Sequence, residues 1–162
     1  MMVSEFELVS DTKGLVSESP IFDADNRRIL YCDSYEGLLH SYDLSDRSVK
    51  TVSLSDHIGS FGLCRSGRLV VALSTKVVLL NLESRKTETL WAQFDEPEHN
   101  RLNDGKVGPD GCFWVGSMDV RAPAEKQPTG NLYRISPDGR SELKSGGYLI
   151  SNGCLQRLGL VT

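Results

Sequence analysis

Polar residues stand in three short segments where a β-strand would pack better with apolar ones. Glu18 and Asn152 each lie in a strand-like segment that begins with two apolar residues, and Arg101, Asn103 and Asp104 lie together in the run NRLNDGK. A carboxylate and an amide oxygen that meet in space suit a hard divalent cation. An Arg with an Asn beside it can hold a polyhydroxylated or anionic ligand. These residue types indicate a site for a metal ion and a small polar molecule.

A simpler explanation of the same residues stays open. Asn-Asp-Gly and Asn-Gly are strong turn formers, and Glu18 can be an ordinary surface carboxylate. The sequence has no Gly-x-Ser-x-Gly elbow, no phosphate-binding Gly-rich loop and no His-Glu-x-x-His motif. Its three histidines, His40, His57 and His99, are scattered, and we predict structural or solvent-exposed positions for them.

Short apolar runs recur at nearly constant spacing along the chain. Three of them begin at positions 28, 68 and 112, each after a polar turn, so that the steps are 40 and 44 residues. With the runs that precede and follow them, each unit contains four short strands. Four strands in about 40–45 residues are typical of a β-propeller blade. A two-sheet sandwich is the main competitor, and the near-constant period argues against it.

The sequence therefore predicts an all-β protein of about three blades plus one strand, the latter at Tyr148–Leu155. Propellers close at typically four to eight blades, so the chain corresponds to the N-terminal half of one. Each polar segment precedes the innermost strand of a blade. Because the starts of those strands converge on one mouth of the central channel, we expect Glu18, Arg101, Asn103 and Asn152 to meet there.

Several motifs resemble the senescence-marker-protein/gluconolactonase family, of the regucalcin type. The resemblance runs from about Gly14 to Gly153, and its most specific part is the Arg-x-Asn-Asp-Gly-Lys run. The motifs that carry it are Glu18–Pro20, Ile29–Asp33, Arg101–Val107, Pro109–Gly111, Phe113–Asp119, Gly130–Arg134 and Ile150–Gly153.

That resemblance implies a six-bladed β-propeller that hydrolyses sugar lactones with one divalent cation, which is calcium, zinc, manganese or magnesium. It implies that Glu18 and Asn152 are metal ligands and that Arg101 and Asn103 contact the substrate. The family's third metal ligand, an Asp also credited as the catalytic base, lies in the second half of the propeller, so the catalytic residue is unknown here. Some members carry an acidic substrate contact where this chain has Met118–Arg121. The alternative function is a non-catalytic propeller fragment that serves as a metal-binding or interaction scaffold.

Composition excludes several other classes of protein. The 18 basic and 22 acidic residues give a net charge of −4, which disfavours a nucleic-acid binder. No apolar run approaches the length of about 20 residues that crosses a bilayer, and the N-terminus lacks the pattern of a secretory signal. The four cysteines have no Cys-x-x-Cys spacing, so we predict free thiols in a reducing compartment. We expect a cytoplasmic protein that binds neither nucleic acid nor membrane.

The predicted domain covers residues 14–155, with terminal segments at 1–13 and 156–162. Three blades leave the outer faces of the first and last blade without a neighbour, so we expect possible self-association through these open faces. The residues that should include an exposed set are Ile21, Ile29, Tyr31, Phe113, Val115 and Leu132.

Overall fold

The computed structural model describes residues 7–153, and these form an all-β structure of three four-stranded antiparallel sheets. Each sheet is a meander of consecutive strands, as the repeat predicts. No helix is present among these residues, and therefore none that could span a membrane. The strands are β1 (Ser17–Asp23), β2 (Arg28–Asp33), β3 (Leu38–Asp43), β4 (Val49–Ser53), β5 (Ser60–Leu63), β6 (Leu69–Ala72), β7 (Val77–Leu80), β8 (Thr87–Trp91), β9 (Asn100–Val107), β10 (Phe113–Asp119), β11 (Gly130–Ile135) and β12 (Ser141–Tyr148).

Glycine turns connect strands of the third blade, formed by β9–β12. Gly111 and Gly139 have φ angles of 75° and 81°, a region that side chains with a Cβ rarely adopt. In the first of these turns the Gly111 amide donates to the Gly108 carbonyl at 2.9 Å, and Asp110 accepts from the Cys112 amide at 3.1 Å. Both Asp-Gly pairs therefore form tight hairpin turns, as glycine at a positive φ allows.

The middle blade, β5–β8, has a buried apolar layer on each face. Side chains alternate between the two faces of a strand, so Leu69 and Val71 of β6 pack against the first blade. Val70 and Ala72 of the same strand pack against the third blade. Complete burial of such side chains stabilises the fold by about 1.5–3 kcal/mol each, which explains the continuous apolar sequence of this strand.

The outer faces of the first and third blades differ from the prediction. Phe113 and Val115 are buried because they face the middle blade. Tyr31 is half-buried, because its ring stacks on His40 and its hydroxyl lies 2.7 Å from the Thr12 hydroxyl. The exposed apolar side chains lie elsewhere. They are Leu8, Val9, Leu15, Phe22, Tyr35, Leu44, Val107, Val120, Leu143, Tyr148, Leu149 and Ile150. The remaining residues of the predicted exposed set, which are Ile21, Ile29 and Leu132, are half-buried like Tyr31.

The predicted fourth-blade strand at Tyr148–Leu155 is not formed within the described residues. Tyr148 ends β12, Ile150 makes an isolated antiparallel bridge to Met118, and residues 151–153 have no regular structure. Gly116 allows this segment to pass closely over the third blade, since a Cβ at Gly116 would overlap the Ser151 Oγ. Residues 154 and 155 of the prediction lie outside the described part of the chain.

Candidate active site

The inner strands of the three blades line a common groove of about 560 Å³. Strands β1, β5 and β9 form most of its walls. Glu18 of β1, Asp104 of β9 and Asn152, which follows β12, line the groove. In an antiparallel meander successive strands run in opposite directions. The start of the first strand therefore lies at the same end of the sheet as the end of the second strand and the end of the fourth. Glu18 and Arg101, near the starts of β1 and β9, therefore lie toward the same end of their blades. We call this end the mouth.

Two β-bulges lie beside the candidate site residues. In the first blade the β1–β2 pairing shifts between Glu18 and Ile21, and Ser19 there has a φ of 54°. In the third blade Asn103 and Asp104 together face Gly116, because the β9–β10 register shifts at this point. A bulge leaves one residue unpaired and re-aims its side chain. The Asn-Asp-Gly sequence thus lies within strand β9, and the alternative that it forms a turn is wrong.

Asn103 links the third blade to the segment that follows it. Its side chain is buried, and its Nδ2 donates to the Ser151 carbonyl at 2.8 Å and to the Asn152 Oδ1 at 3.3 Å. Its Oδ1 accepts from the Arg101 Nη1 at 2.9 Å. Asn103 therefore connects Arg101 directly to Asn152. Asp104 adds a second connection, because its Oδ2 accepts from the Gly153 amide at 2.7 Å.

Arg101 is a half-buried cation at the mouth. Burial lowers the pKa of its guanidinium from the ordinary value, while Tyr35 and Glu18 act in the opposite direction. Glu18 is thus close enough to Arg101 to influence the pKa of its guanidinium. Arg101 and Asn103 do not line the groove itself, whereas Glu18 and Asn152 do. We call Glu18, Arg101, Asn103 and Asn152 the mouth cluster.

Two residues lie near Arg101 that the sequence did not indicate as members of the site. Tyr35 lies in the β2–β3 turn and His57 in the β4–β5 connection, and their rings contact edge to face at a centroid distance of 5.6 Å. Burial, and then the charge of Arg101, lower the pKa of His57 to about 4. No sequence motif marks either residue, because their proximity to Arg101 arises from the packing of three separate blades. His40, in contrast, has the structural position predicted for it, with its Nδ1 2.9 Å from the Thr51 hydroxyl.

The segment Met118–Arg121 presents no free acidic group to the groove. Arg121 pairs with the buried Asp119, with its Nη2 2.6 Å from the Oδ2. Asp119 also accepts from the Gln127 amide at 2.9 Å. The Arg121 hydrogen bond is the main cause that lowers the pKa of Asp119. This carboxylate fixes the β10–β11 loop, and His99 lies 3.8 Å from it.

A second polar cluster lies between the middle and third blades. The Glu96 carboxylate accepts hydrogen bonds from four side chains at 2.6–3.1 Å. We call this the Glu96 cluster, and its members are Glu96, Asn100, Ser117, Asn131 and Tyr133. Burial and the Glu96 hydrogen bond raise the pKa of Tyr133. Since Asn100 is the first residue of β9, the cluster holds the start of the strand that carries Arg101 and Asn103.

The donor set at the mouth is compatible with a hard divalent cation. Glu18 supplies carboxylate oxygens and Asn152 an amide oxygen, and both are exposed on the wall of one groove. Oxygen donors of this kind suit calcium and magnesium. Residues 7–153 bring together no group of three or more His, Cys, Asp or Glu side chains around a metal position. The fit therefore rests on one carboxylate and one amide from this cluster.

None of the three cysteines in residues 7–153 supplies a reactive thiol to the site. Cys32, Cys64 and Cys112 are free thiols, as predicted, and burial raises the pKa of each above its ordinary value. A raised pKa disfavours the reactive thiolate. Cys154 lies outside the described residues.

Residues 16–156 match the protein family described as the SMP-30/gluconolactonase/LRE-like region. The chain belongs to this family. The 6-deoxy-6-sulfogluconolactonase of Pseudomonas putida is 32% identical over 139 residues, which are 86% of this chain and 47% of that protein. Regucalcin from Bos taurus is 32% identical over 138 residues, 84% of this chain and 46% of that protein. The chain thus spans about half the length of these curated relatives.

Solved structures show the same fold. A luciferin-regenerating enzyme superposes with a TM-score of 0.79 at 25% identity, over 87% of this chain and 48% of that enzyme. A calcium-binding regucalcin from Agrobacterium tumefaciens superposes with a TM-score of 0.77 at 19% identity, over 88% of this chain and 47% of that protein. The three blades described above therefore match about half of the β-propeller fold of these structures.

Proposed function

We propose that the mouth cluster belongs to a sugar lactonase that depends on a divalent metal ion. The observation that carries the proposal is that Glu18 and Asn152 lie on the wall of one groove and that Asn103 connects Asn152 to Arg101. Family membership supports lactone hydrolysis as the general activity. The relative from Pseudomonas putida is named for a sulfonated gluconolactone, and a half-buried Arg is compatible with such an anionic substituent.

Different side chains of the mouth cluster bind the cation and the sugar. Glu18 and Asn152 would hold the cation through oxygen atoms, and Asn103 orients the Asn152 amide by donating to its Oδ1. At this position a cation would supply Lewis-acid chemistry, because it would polarise the lactone carbonyl and stabilise negative charge on the carbonyl oxygen. Arg101 orients the sugar through its hydroxyl groups, which lowers the entropic part of the barrier. Hydrolysis adds one water molecule across the ring ester and gives a hydroxy acid. Arg101 can also bind the carboxylate of this product through charge-assisted hydrogen bonds.

Lactone hydrolysis by the purified chain tests the proposal. D-glucono-1,5-lactone and its 6-deoxy-6-sulfo derivative should be hydrolysed in the presence of calcium, zinc, manganese or magnesium, and chelation with EDTA should abolish turnover. Glu18→Gln should lower turnover at saturating lactone at least tenfold, because it removes the carboxylate charge that holds the cation. Glu83→Gln is the matched control, since Glu83 is an exposed residue in the β7–β8 turn.

The proposal is wrong if turnover is independent of metal, or if the two Gln variants behave alike. A second candidate is a metal- or sugar-binding scaffold without turnover. It is favoured by the small number of acidic side chains at the mouth, since residues 7–153 contain no three-residue metal cluster. Saturable binding of calcium that Glu18→Gln weakens, without hydrolysis of either lactone, would support this scaffold instead.

A further inference from the structure

His57 is a half-buried residue whose two ring nitrogens are themselves buried and have no hydrogen-bond partner among residues 7–153. Buried polar atoms in native proteins are nearly always hydrogen-bonded, because they otherwise lose their contacts with water without replacement. His40 provides the comparison within the same blade region, since its Nδ1 lies 2.9 Å from the Thr51 hydroxyl. The unpaired nitrogens of His57 therefore require an explanation other than the stability of the fold.

The surroundings of His57 place it at the mouth. The connection that carries it is tied to the β2–β3 turn, because the Ile58 amide donates to the Ser34 carbonyl at 3.1 Å. The next residue of this turn, Tyr35, packs edge to face against the imidazole and is itself 64% exposed. Rotation of this exposed ring replaces its hydrogen bond with Arg101 by contacts with water, so Tyr35 can move aside and uncover His57.

Charge at this position restricts the kind of group that His57 can bind. Burial and the neighbouring Arg101 lower the pKa of His57 to about 4, so the ring is neutral near pH 7. A neutral imidazole has one nitrogen that donates and one that accepts a hydrogen bond. A hydroxyl group can use either nitrogen, and a molecule with several hydroxyl groups can contact His57 and Arg101 together.

We propose that His57 binds a hydroxyl group of the sugar ligand that Arg101 holds, with the Tyr35 ring moving aside to admit it. This inference rests on the sugar ligand of the proposed function. It adds a specificity-determining residue from the β4–β5 connection to the residues of β1 and β9. The second nitrogen remains available to another hydroxyl group of the ligand or to water.

Ligand-induced changes at the ring nitrogens test the proposal without any substitution. 1,5-Anhydro-D-glucitol is a suitable probe because it is a ring polyol that cannot be hydrolysed. In long-range ¹H–¹⁵N NMR spectra, the His57 ring nitrogens should shift in a saturable manner when the probe is added. The His40 nitrogens should not shift, because their partner is Thr51. A titration in which the His57 signals stay unchanged while the probe binds overturns the proposal.

Two substitutions separate ligand binding from stability. His57→Phe removes the unpaired nitrogens, so the urea midpoint of unfolding should be unchanged or higher, while the probe should bind about tenfold more weakly through loss of one hydrogen bond. His40→Phe should show the opposite pattern, with a lower midpoint and unchanged affinity. A structural role for His57 predicts a lower midpoint for His57→Phe and an unchanged affinity.

Arg101→Ala distinguishes this inference from the proposed function. If Arg101→Ala abolishes binding of the probe and His57→Phe leaves it unchanged, the role of His57 is wrong and the site stands. If the wild-type protein binds no sugar and hydrolyses no lactone, both proposals are wrong. His57→Gln, which keeps a donor and an acceptor, should recover part of the affinity lost in His57→Phe.

Discussion

The Glu96 cluster and the mouth cluster are built from similar side chains but differ in where their hydrogen bonds end. In the Glu96 cluster a carboxylate accepts from four side chains of the same chain. In the mouth cluster Glu18 and Asn152 are exposed on a groove wall. A network that is satisfied internally holds strands in place. Exposed oxygens are available to a ligand, so the first cluster supports the fold and the second supports binding.

The largest expected effect is the loss of the Glu96 carboxylate. Glu96→Ala leaves four donors without their acceptor, and we expect the free energy of unfolding to fall by about 3 kcal/mol or more, because buried donors without partners are costly. Urea unfolding monitored by Trp fluorescence measures this. Glu98→Ala is the control, since Glu98 is exposed two residues away. Equal stability of the two variants would remove the structural role assigned to the cluster.

Asp33 is a second carboxylate that is satisfied internally. Burial alone would raise its pKa, but hydrogen bonds from the backbone amides of Glu36, Leu15, Val16 and Tyr35 outweigh this and lower it. A lowered pKa means that the stabilisation is complete above about pH 4 and is lost as the pH falls through the folded-state value. Asp33→Asn should cost about 2 kcal/mol at pH 7.

The pH dependence provides the control for Asp33. The difference in unfolding free energy between wild type and Asp33→Asn should shrink as the pH is lowered below about 4, because the wild-type carboxylate is then protonated as well. A difference that stays constant from pH 7 to pH 2.5 would contradict the assignment. Urea titrations at a series of pH values give this profile.

Gly116→Ala should disturb the mouth cluster with a smaller loss of stability. The added methyl group would overlap the Ser151 side chain, whose backbone carbonyl accepts from Asn103. We expect a loss of about 1 kcal/mol, because the crowded atoms belong to a segment outside the strands. Calcium affinity, measured by calorimetry, should also fall. The double variant Gly116→Ala/Ser151→Gly should recover both quantities, and failure to recover would locate the defect in β10 itself.

The smallest effect on stability is expected for Glu18→Gln. Glu18 is exposed, and surface substitutions usually change the free energy of unfolding by less than about 0.5 kcal/mol. The substitution should nevertheless weaken calcium binding, which calorimetry detects. A loss of stability comparable to that of Asp33→Asn would place Glu18 among the internally satisfied carboxylates and would remove the contrast between the two clusters.

Much of the blade architecture could be predicted from local sequence. Apolar side chains on both parities of Leu69–Ala72 required a strand buried on two faces, and Asp110-Gly111 required a turn with a positive φ at glycine. The fourth-blade strand could not be predicted correctly in the same way. Its apolar residues are compatible with a strand, but pairing needs a partner, and in the described residues Ile150 forms only a single bridge to Met118.

The candidate site also has features that the sequence predicted and features that it did not. Polar residues in apolar runs marked Glu18, Arg101, Asn103 and Asn152, because burying such groups is unfavourable without a compensating role. The bulge that keeps Asn103 inside strand β9 was not predictable, since the same three residues also favour a turn. Register is decided by the partner strand, which local propensity does not describe.

The sequence by itself determined the all-β class, the three blades and the residue types at the mouth. These follow from periodicity and turn chemistry, which act over a few residues. Only the tertiary structure decided that His57 and Tyr35 lie beside Arg101. It also decided that the Glu96 carboxylate accepts hydrogen bonds from four side chains. Some of these contacts join residues far apart in the chain, such as Tyr133 with Glu96, 37 positions apart, and Arg101 with Tyr35, 66 positions apart. They depend on how whole blades pack, and no local pattern in the chain encodes that packing.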